Sequence, residues 1–130
     1  MHELAIAQSI VDIVEQQASA RQAARVQMVR LQVGEASGVV VDALTSSFEI
    51  LANLSPLLEG ARLTIDHMPH RAHCQQCARE FAVQSGIPRC PRCEEWSADI
   101  LSGTELQILE MEISHLRADE EKSARDTSPG

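Results

Sequence analysis

The order of hydrophobic and polar positions predicts alternating helices and strands in the first half of the chain. Apolar residues return at helical spacing between residues 4 and 18, which predicts a first helix with one buried stripe: Leu4, Ala7, Val11, Val14 and Ala18. The segment RVQMVRLQV, which ends before Gly34, is rich in β-branched residues and predicts the first strand. A second helix follows, with Ser37 as its expected N-cap and one apolar face: Val40, Leu44, Phe48 and Leu51.

Two further strands are predicted in the second half of the chain. ARLTIDH alternates apolar and polar residues, and TELQILEMEIS does the same but changes its apolar phase near Ile108, as a bulge or a change of buried face would require. Between them, residues 67–103 hold all four cysteines and few aliphatic residues, so this segment is not expected to build a hydrophobic core of its own. The strands on either side of it are expected to pair with each other.

The four cysteines predict a metal site. They form two pairs, Cys74 with Cys77 and Cys90 with Cys93, and twelve residues separate the pairs. Two residues between thiols allow one tight turn to direct both sulfurs at the same ion. Four thiolates favour tetrahedral Zn(II) and leave no open position for catalysis, so the predicted metal is structural. Iron, as in rubredoxin-like sites, is a competing ion, and disulfides or free thiols are the alternatives without metal.

These elements together predict an α+β fold. Two helices lie on a small three-stranded mixed or antiparallel sheet, and a zinc-ribbon-like domain is inserted between the second and third strands. The predicted domains are residues 1–69 with 104–115, and residues 70–103. Residues 116–130 are polar and poor in aliphatic side chains, and we expect them to form a disordered tail.

Charge and hydropathy limit the classes of partner. The formal net charge is −8 and the pI is about 5.0, which disfavours nucleic acid because binding to phosphates depends on Lys and Arg. No stretch has the length and apolar character of a membrane helix, and the N-terminus lacks the pattern of a secretory signal. We therefore expect a cytoplasmic protein, in which thiols stay reduced and bind metal rather than form disulfides.

Three histidines precede the first cysteine pair: His67, His70 and His73. Imidazole titrates near neutral pH and binds zinc or nickel, so these residues are candidates for tuning the zinc site, for sensing pH or for holding a second metal. A solvated linker with ordinary histidines explains the same spacing.

The first three residues, MHE, offer a different kind of donor set. If the terminus is not extended, the α-amine of Met1, the amide nitrogen of His2 and its imidazole close two fused chelate rings in one plane, and the amide or carboxylate of Glu3 can complete the set. A planar arrangement of nitrogens suits Ni(II) or Cu(II) better than Zn(II). Taken alone, His2 also fits an incidental exposed residue, and Glu3 fits a favourable charge at a helix N-terminus.

The combination of motifs extends this interpretation. MHE, GEASG, SSFEIL and CxxC–x12–CxxC, in this order of helices and strands, resemble the hydrogenase nickel-incorporation proteins of the HypA/HybF family over residues 1–114. The resemblance implies a nickel metallochaperone involved in maturation of a [NiFe]-hydrogenase, with His2, Met1 and Glu3 as nickel ligands. It also implies that Cys74, Cys77, Cys90 and Cys93 hold structural zinc.

The resemblance also implies partners. These are a GTPase nickel accessory protein, the precursor of the [NiFe]-hydrogenase large subunit and, in some organisms, urease maturation factors, whereas homodimer formation stays open. The family often has an acidic residue soon after the GE element, but here valines occupy positions 39–41 and the first carboxylate after Glu35 is Asp42. A side-chain oxygen ligand for nickel is therefore not assigned.

The sequence also bears on two other classes of function. A zinc-ribbon module that binds nucleic acid or protein, without a nickel function, is the alternative, because the insert carries four arginines: Arg71, Arg79, Arg89 and Arg92. An enzyme is not expected, because the cysteines close the metal site and neither a nucleophile-elbow nor a phosphate-loop pattern occurs.

Overall fold

A computed structural model describes residues 2–116 of the chain. Two helices are present, α1 (Glu3–Ala20) and α2 (Val41–Asn53), and six strands follow the order β1 (Arg25–Gly34), β2 (Arg62–Met68), β3 (Arg71–Cys74), β4 (Arg79–Ala82), β5 (Ile100–Ser102) and β6 (Leu106–Ser114). The strands form two three-stranded sheets, ordered β2-β1-β6 and β4-β3-β5. The predicted α+β fold class is confirmed. None of the described helices is long and apolar enough to cross a membrane.

The helices bury most of the stripes that their periodicity predicts, but not at the starts of the helices, and in α2 Leu51 is only half-buried while Ala52 is buried. In α1 the buried residues are Ala7, Ile10, Val11, Val14 and Ala18, and in α2 they are Leu44, Phe48 and Ala52. The two helices pack against each other. Leu4 and Val40, which the pattern assigned to these faces, are instead 57% and 59% exposed, because Leu4 lies in the first turn of α1 and Val40 is the N-cap residue before α2.

Strand β1 is the central strand of the first sheet. Five of its apolar side chains are buried: Val26, Met28, Val29, Leu31 and Val33. The N–H of Ala24 donates to the carbonyl of Ser114, and the N–H of Gly34 donates to Glu105, so β6 runs antiparallel to β1. The N–H of Glu35 donates to Met68 at the end of β2, so β1 and β2 end side by side, as two parallel strands joined through a helix do.

The predicted pairing of the strands before and after the insert is therefore wrong. β2 and β6 lie on opposite sides of β1. The positions of β2 and β6 on either side of the insert favoured a pairing between them, but the strand order of the sheet follows the burial of the strands instead. The most apolar strand takes the central position, and the two half-exposed strands take the edges.

The cysteine segment contains three short strands that the hydrophobic pattern did not predict. β3 pairs antiparallel with β4, from Arg71 opposite Ala82 to Cys74 opposite Arg79, and with β5 through an irregular register. Strands of three or four residues are too short to display a period of two. The segment also has a small apolar cluster: Ala72, Cys74, Phe81, Val83 and Cys90. The expectation that it has no hydrophobic core is thus wrong, although two of these five residues are cysteines of the candidate metal site.

Contacts divide the chain into two compact units. One comprises Met1–Arg30, Val40–Thr64 and Ile108–Gly130, and the other comprises Leu31–Val39 and Ile65–Gln107. The predicted domain boundaries stay a prediction, because compact contacts do not establish which segment folds independently. The tail expected at residues 116–130 lies outside the described residues from position 117 onward.

Candidate metal sites

The structure brings the four cysteines into one cluster. The sulfur atoms of Cys74, Cys77, Cys90 and Cys93 all lie within 4.8 Å of one another, and among residues 2–116 no other group of three or more His, Cys, Asp or Glu residues is assembled in this way. Cys74 and Cys90 are buried, whereas Cys77 and Cys93 are half-buried. The four residues are free thiols and form no disulfide.

Each cysteine pair lies on a tight turn next to a β pairing. Cys74 ends β3, its sulfur accepts the N–H of Cys77 at 3.5 Å, and Ala78 follows with a positive φ of 53°. In the second turn Cys90 accepts the N–H of Glu94 at 2.8 Å through its carbonyl, and Glu94 has a φ of 61°. A β-bridge between Arg89 and Trp96 closes this second turn. The CxxC spacing thus produces two similar turns whose sulfurs face each other.

The sulfur separations fit a tetrahedral metal. Four sulfurs about 2.3 Å from one zinc ion would lie about 3.8 Å from each other. The Sγ atoms of Cys74 and Cys93 are 3.5 Å apart, and those of Cys77 and Cys90 are 3.9 Å apart. Since neither distance is a covalent S–S bond and both are close to the tetrahedral value, the four cysteines are positioned to bind zinc.

The thiols differ in acidity in a way that favours a divalent cation. Burial and the neighbouring thiols raise the pKa of Cys77 to about 12. The backbone N–H groups of Cys93 and Arg92 lower the pKa of Cys90 to about 6. One thiol of the cluster therefore ionises readily, whereas others resist a second and third negative charge so close by. A bound dication supplies the compensating charge and binds most strongly when all four are thiolates.

The three histidines do not form a second metal site. His67 is exposed on β2, His70 is buried between β2 and β3, and His73 lies on β3 with Nδ1 3.4 Å from the carboxylate of Asp99. Within the described part of the chain they are not grouped as metal ligands. The candidate second metal site is therefore not assembled: His67 lies on β2, His73 on β3, and His70 in the connection between these strands.

The N-terminal candidate residues lie at the start of α1. His2 is exposed and is the N-cap of α1, where its side chain makes no capping hydrogen bond and its carbonyl accepts the N–H of Ile6 at 3.1 Å. Glu3 is the first residue of the helix. Met1 lies outside the described residues. The imidazole of His2 is thus available to solvent at the very end of the described chain.

The carboxylate of Glu3 has a structural partner that the sequence did not reveal. Its Oε1 accepts the N–H of Val40 at 3.1 Å, just before α2, and this hydrogen bond lowers the pKa of Glu3. Ser37 was the expected N-cap, but its hydroxyl accepts the N–H of Val39 and the helix begins only at Val41. Glu3 therefore accepts the backbone N–H of Val40 at the start of α2, whereas the sequence predicted that Ser37 would cap this helix.

The GE element, Gly34 and Glu35, has a clear structural role at the ends of the cysteine segment. The carboxylate of Glu35 accepts the N–H of His70 at 3.0 Å, and the N–H of Ala36 donates to Gly103 at 2.6 Å. A Cβ atom on Gly34 would lie 2.1 Å from the carbonyl oxygen of Gly103, so the two backbones touch. One element thus holds both the incoming and the outgoing chain of residues 70–103, a role that sequence reasoning missed.

The arginines of the cysteine segment do not form a basic surface. The four arginines at 71, 79, 89 and 92 are matched by four acidic residues at 80, 94, 95 and 99. Arg71 lies 3.9 Å from the carboxylate of Glu80, and the guanidinium of Arg89 lies 5.2 Å from the ring centre of Trp96. Balanced charges of this kind remove the main support for a nucleic-acid-binding ribbon.

Comparisons with known proteins agree on one family. The model of the family described as "Hydrogenase/urease nickel incorporation, metallochaperone, hypA" matches residues 1–113. The hydrogenase maturation factor HypA of Geobacter metallireducens is 42% identical over 87% of this chain and 99% of its own length. The corresponding factor of Streptomyces avermitilis is 48% identical over 84% of each chain. The solution structure of the Ni metallochaperone HypA from Helicobacter pylori superposes with a TM-score of 0.64 at 25% identity, covering 89% of this chain and 100% of that one.

Proposed function

Because the chain belongs to the HypA family of hydrogenase/urease nickel-incorporation metallochaperones, we propose that it binds Ni(II) at Met1, His2 and Glu3 and helps insert it into a [NiFe]-hydrogenase precursor. The family consists of maturation factors, and the chain is accordingly not an enzyme. The observation that carries the proposal is the exposed imidazole of His2 at the first turn of α1.

The start of a helix is a suitable place for amide ligands. The first N–H groups of a helix have no intrahelical acceptor, so the amide of Glu3 loses no helical hydrogen bond when it gives up its proton to nickel. The helix dipole places positive charge at this end and favours deprotonated, anionic amides. Two such amides, the α-amine and the His2 imidazole supply four nitrogens and make the bound dication electrically neutral.

A site of this kind is built for exchange. It contains one side chain and otherwise backbone nitrogens, and the side chain is open to solvent, so a partner can displace ligands one at a time. We expect a dissociation constant for nickel of about micromolar, equivalent to about −8 kcal/mol. The carboxylate of Glu3 is engaged by Val40, so Glu3 contributes through its backbone. Neither Asp42 nor another carboxylate is proposed as a ligand.

We propose a separate, structural role for zinc at Cys74, Cys77, Cys90 and Cys93. The burial of two sulfurs and the closed donor set support permanent binding. The nickel-binding domain comprises residues 1–69 with 104–115, and the zinc-binding domain residues 70–103. The partners are a GTPase nickel accessory protein, the hydrogenase large-subunit precursor and urease maturation factors, and the transfer takes place in the cytoplasm.

Nickel titration of matched proteins tests the proposal. We would titrate the wild type, His2→Ala, a form with residues added before Met1, and His67→Ala as a control that removes another exposed histidine. The d–d absorption of planar Ni(II) should rise to one equivalent in the wild type and in His67→Ala, and should be absent from the other two. Planar binding in all four proteins would place nickel elsewhere and remove the proposed site.

A further inference from the structure

The edge strand β6 and helix α1 border a groove that the metal chemistry does not use. The groove has a volume of about 580 Å³, and its apolar lining comes from two helix residues and four strand residues: Ile13, Val14, Ile108, Leu109, Met111 and Ile113. Ile13 is 47% exposed and Leu109 is 43% exposed. A cavity of this size accepts several aliphatic side chains.

The strand beside this groove presents unused backbone groups. β6 spans nine residues, Leu106–Ser114, and it is the last strand of the order β2-β1-β6. Its outer edge pairs with no other strand in the described residues. Side chains of β6 are half-buried at Ile108, Met111 and Ile113, so the phase of burial shifts along the strand, as its sequence predicted. A long edge with free N–H and C=O groups next to an apolar groove is suited to strand addition.

Charge identifies the kind of strand that fits. Glu110 and Glu112 alternate with the apolar residues of β6. Glu110 already pairs with Arg30 at 3.2 Å, and Arg21 lines the groove on the helix side. The exposed Glu112 is therefore the carboxylate that a partner can reach. A second copy would bring the same glutamates opposite these, and like charges facing each other across strands are unfavourable. The chain's own residues 117–130 carry acidic and basic side chains in nearly equal number and contain no Val, Ile, Leu, Met or Phe, so they offer no large apolar side chain for the groove. A segment with Lys or Arg alternating with apolar residues matches both the charge and the groove.

We propose that the outer edge of β6 binds an extended, basic segment of a protein partner, which adds a strand to the sheet. Alternate apolar side chains of that segment enter the groove beside α1, and a basic side chain lies next to the exposed Glu112. This surface is independent of the nickel ligands, so it serves recognition rather than metal transfer.

The first experiment uses a defined peptide and the full-length, zinc-loaded protein. The probe is a nine-residue peptide of alternating lysine and valine, acetylated and amidated, and a glutamate–valine peptide is the charge control. Binding is followed by fluorescence anisotropy at two salt concentrations, and contact with β6 by amide hydrogen exchange. We expect the lysine peptide to protect residues 108–113 and to bind more weakly at high salt than at low salt. The glutamate peptide should bind at least about tenfold more weakly than the lysine peptide.

Matched variants locate the surface. Leu109→Lys blocks the groove and Glu112→Lys reverses the charge. Each should lower the affinity for the lysine peptide by about tenfold. Ile50→Lys and Glu49→Lys make the same changes at exposed positions of α2 and should not alter binding. Thermal unfolding checks that all four variants fold.

Four outcomes would overturn the proposal. Equal binding of both peptides would contradict the charge argument. Binding without protection of residues 108–113 would show that the peptide does not bind at β6. Protection of β6 that grows with protein concentration, without peptide, assigns the edge to a second copy. Protection that is present without peptide at every concentration assigns it to the chain's own residues 117–130.

Discussion

The two candidate metal sites are built from opposite kinds of ligand. The cysteine cluster assembles four side chains from two distant turns, buries two of them and leaves no open position. The N-terminus offers one exposed imidazole at the first turn of α1, and the rest of its proposed donors are backbone nitrogens. The cysteine cluster is suited to retaining a metal, because its four ligands come together only in the folded segment. The N-terminal site is suited to releasing a metal, because it requires little beyond a free chain end.

The largest effect should come from breaking the cysteine cluster with Cys90→Ser. We expect loss of the single zinc, whose binding contributes about 10 kcal/mol or more in small zinc domains, together with loss of amide protection over residues 71–102. Zinc analysis and hydrogen exchange measure the two effects. His2→Ala should change neither, although it abolishes planar nickel binding.

Gln76→Ser is the control for Cys90→Ser, because it places serine at an exposed position inside the first CxxC turn. It should retain one zinc and normal protection. If Cys90→Ser retained both as well, the cysteine cluster would not be the structural centre of its segment, and the contrast between the two sites would fail.

An intermediate effect is expected at the junction that holds the cysteine segment. Gly103 has a φ of +111°, and a Cβ atom there would lie 2.4 Å from the Cα of His70. Gly103→Ala should therefore lower the free energy of unfolding by about 3 kcal/mol, through strain and overpacking together. Urea denaturation of the zinc-loaded protein measures the loss.

Gly60→Ala is the matched control for this junction. Gly60 also has a positive φ, of +78°, but a Cβ atom there meets nothing within 4 Å. Its cost should be limited to the conformational strain, about 1 kcal/mol. Equal losses in the two variants would show that the contact with His70 does not matter, and that the cysteine segment is held in place by its metal alone.

The smallest effect should come from Glu3→Gln. The hydrogen bond from Val40 lowers the pKa of Glu3, so its ionised form is favoured in the folded protein. This stabilisation is present above the pKa of the unfolded chain, near the ordinary value of 4.5, and is lost as the pH falls through the lowered folded value. Hydrogen exchange at the amide of Val40 should be faster in Glu3→Gln at pH 7, and the difference should shrink in acid.

Glu49→Gln, at an exposed position of α2, is the control for Glu3→Gln at each pH. Nickel binding should persist in Glu3→Gln, because the backbone nitrogen is unchanged. Loss of planar nickel in this variant would make the Glu3 carboxylate part of the site, and the contrast between side-chain and backbone ligands would then weaken.

The parts predicted from sequence are those with a long period or a fixed spacing. Helix α1 and strand β1 extend over enough residues for their periods to be visible, and the CxxC pairs brought their four sulfurs together as the spacing required. Strands β3 and β5, with four and three residues, are too short to show a pattern. The order of strands in the first sheet was missed because it depends on which strand is buried most.

Other misses involve partners far apart in the sequence. The contact of Glu3 with Val40 spans 37 positions, and that of Glu35 with His70 spans 35. No local pattern marks either carboxylate as a hydrogen-bond acceptor for a distant backbone N–H. Ser37 was a plausible helix cap by residue type, but the helix began four residues later, at Val41, where another part of the chain satisfied the donor.

The contact between Gly34 and Gly103 has a genetic consequence. Every missense mutation of a glycine codon adds at least a Cβ atom, and at either position that atom would meet backbone at 2.1 or 2.4 Å. Because the obstacle at Gly34 is a carbonyl group of the main chain, a second-site change of side chain cannot relieve it. In a library of all single-codon variants scored for folded protein, substitutions at both positions should therefore be depleted, and at Gly34 no second-site change of side chain should restore folding.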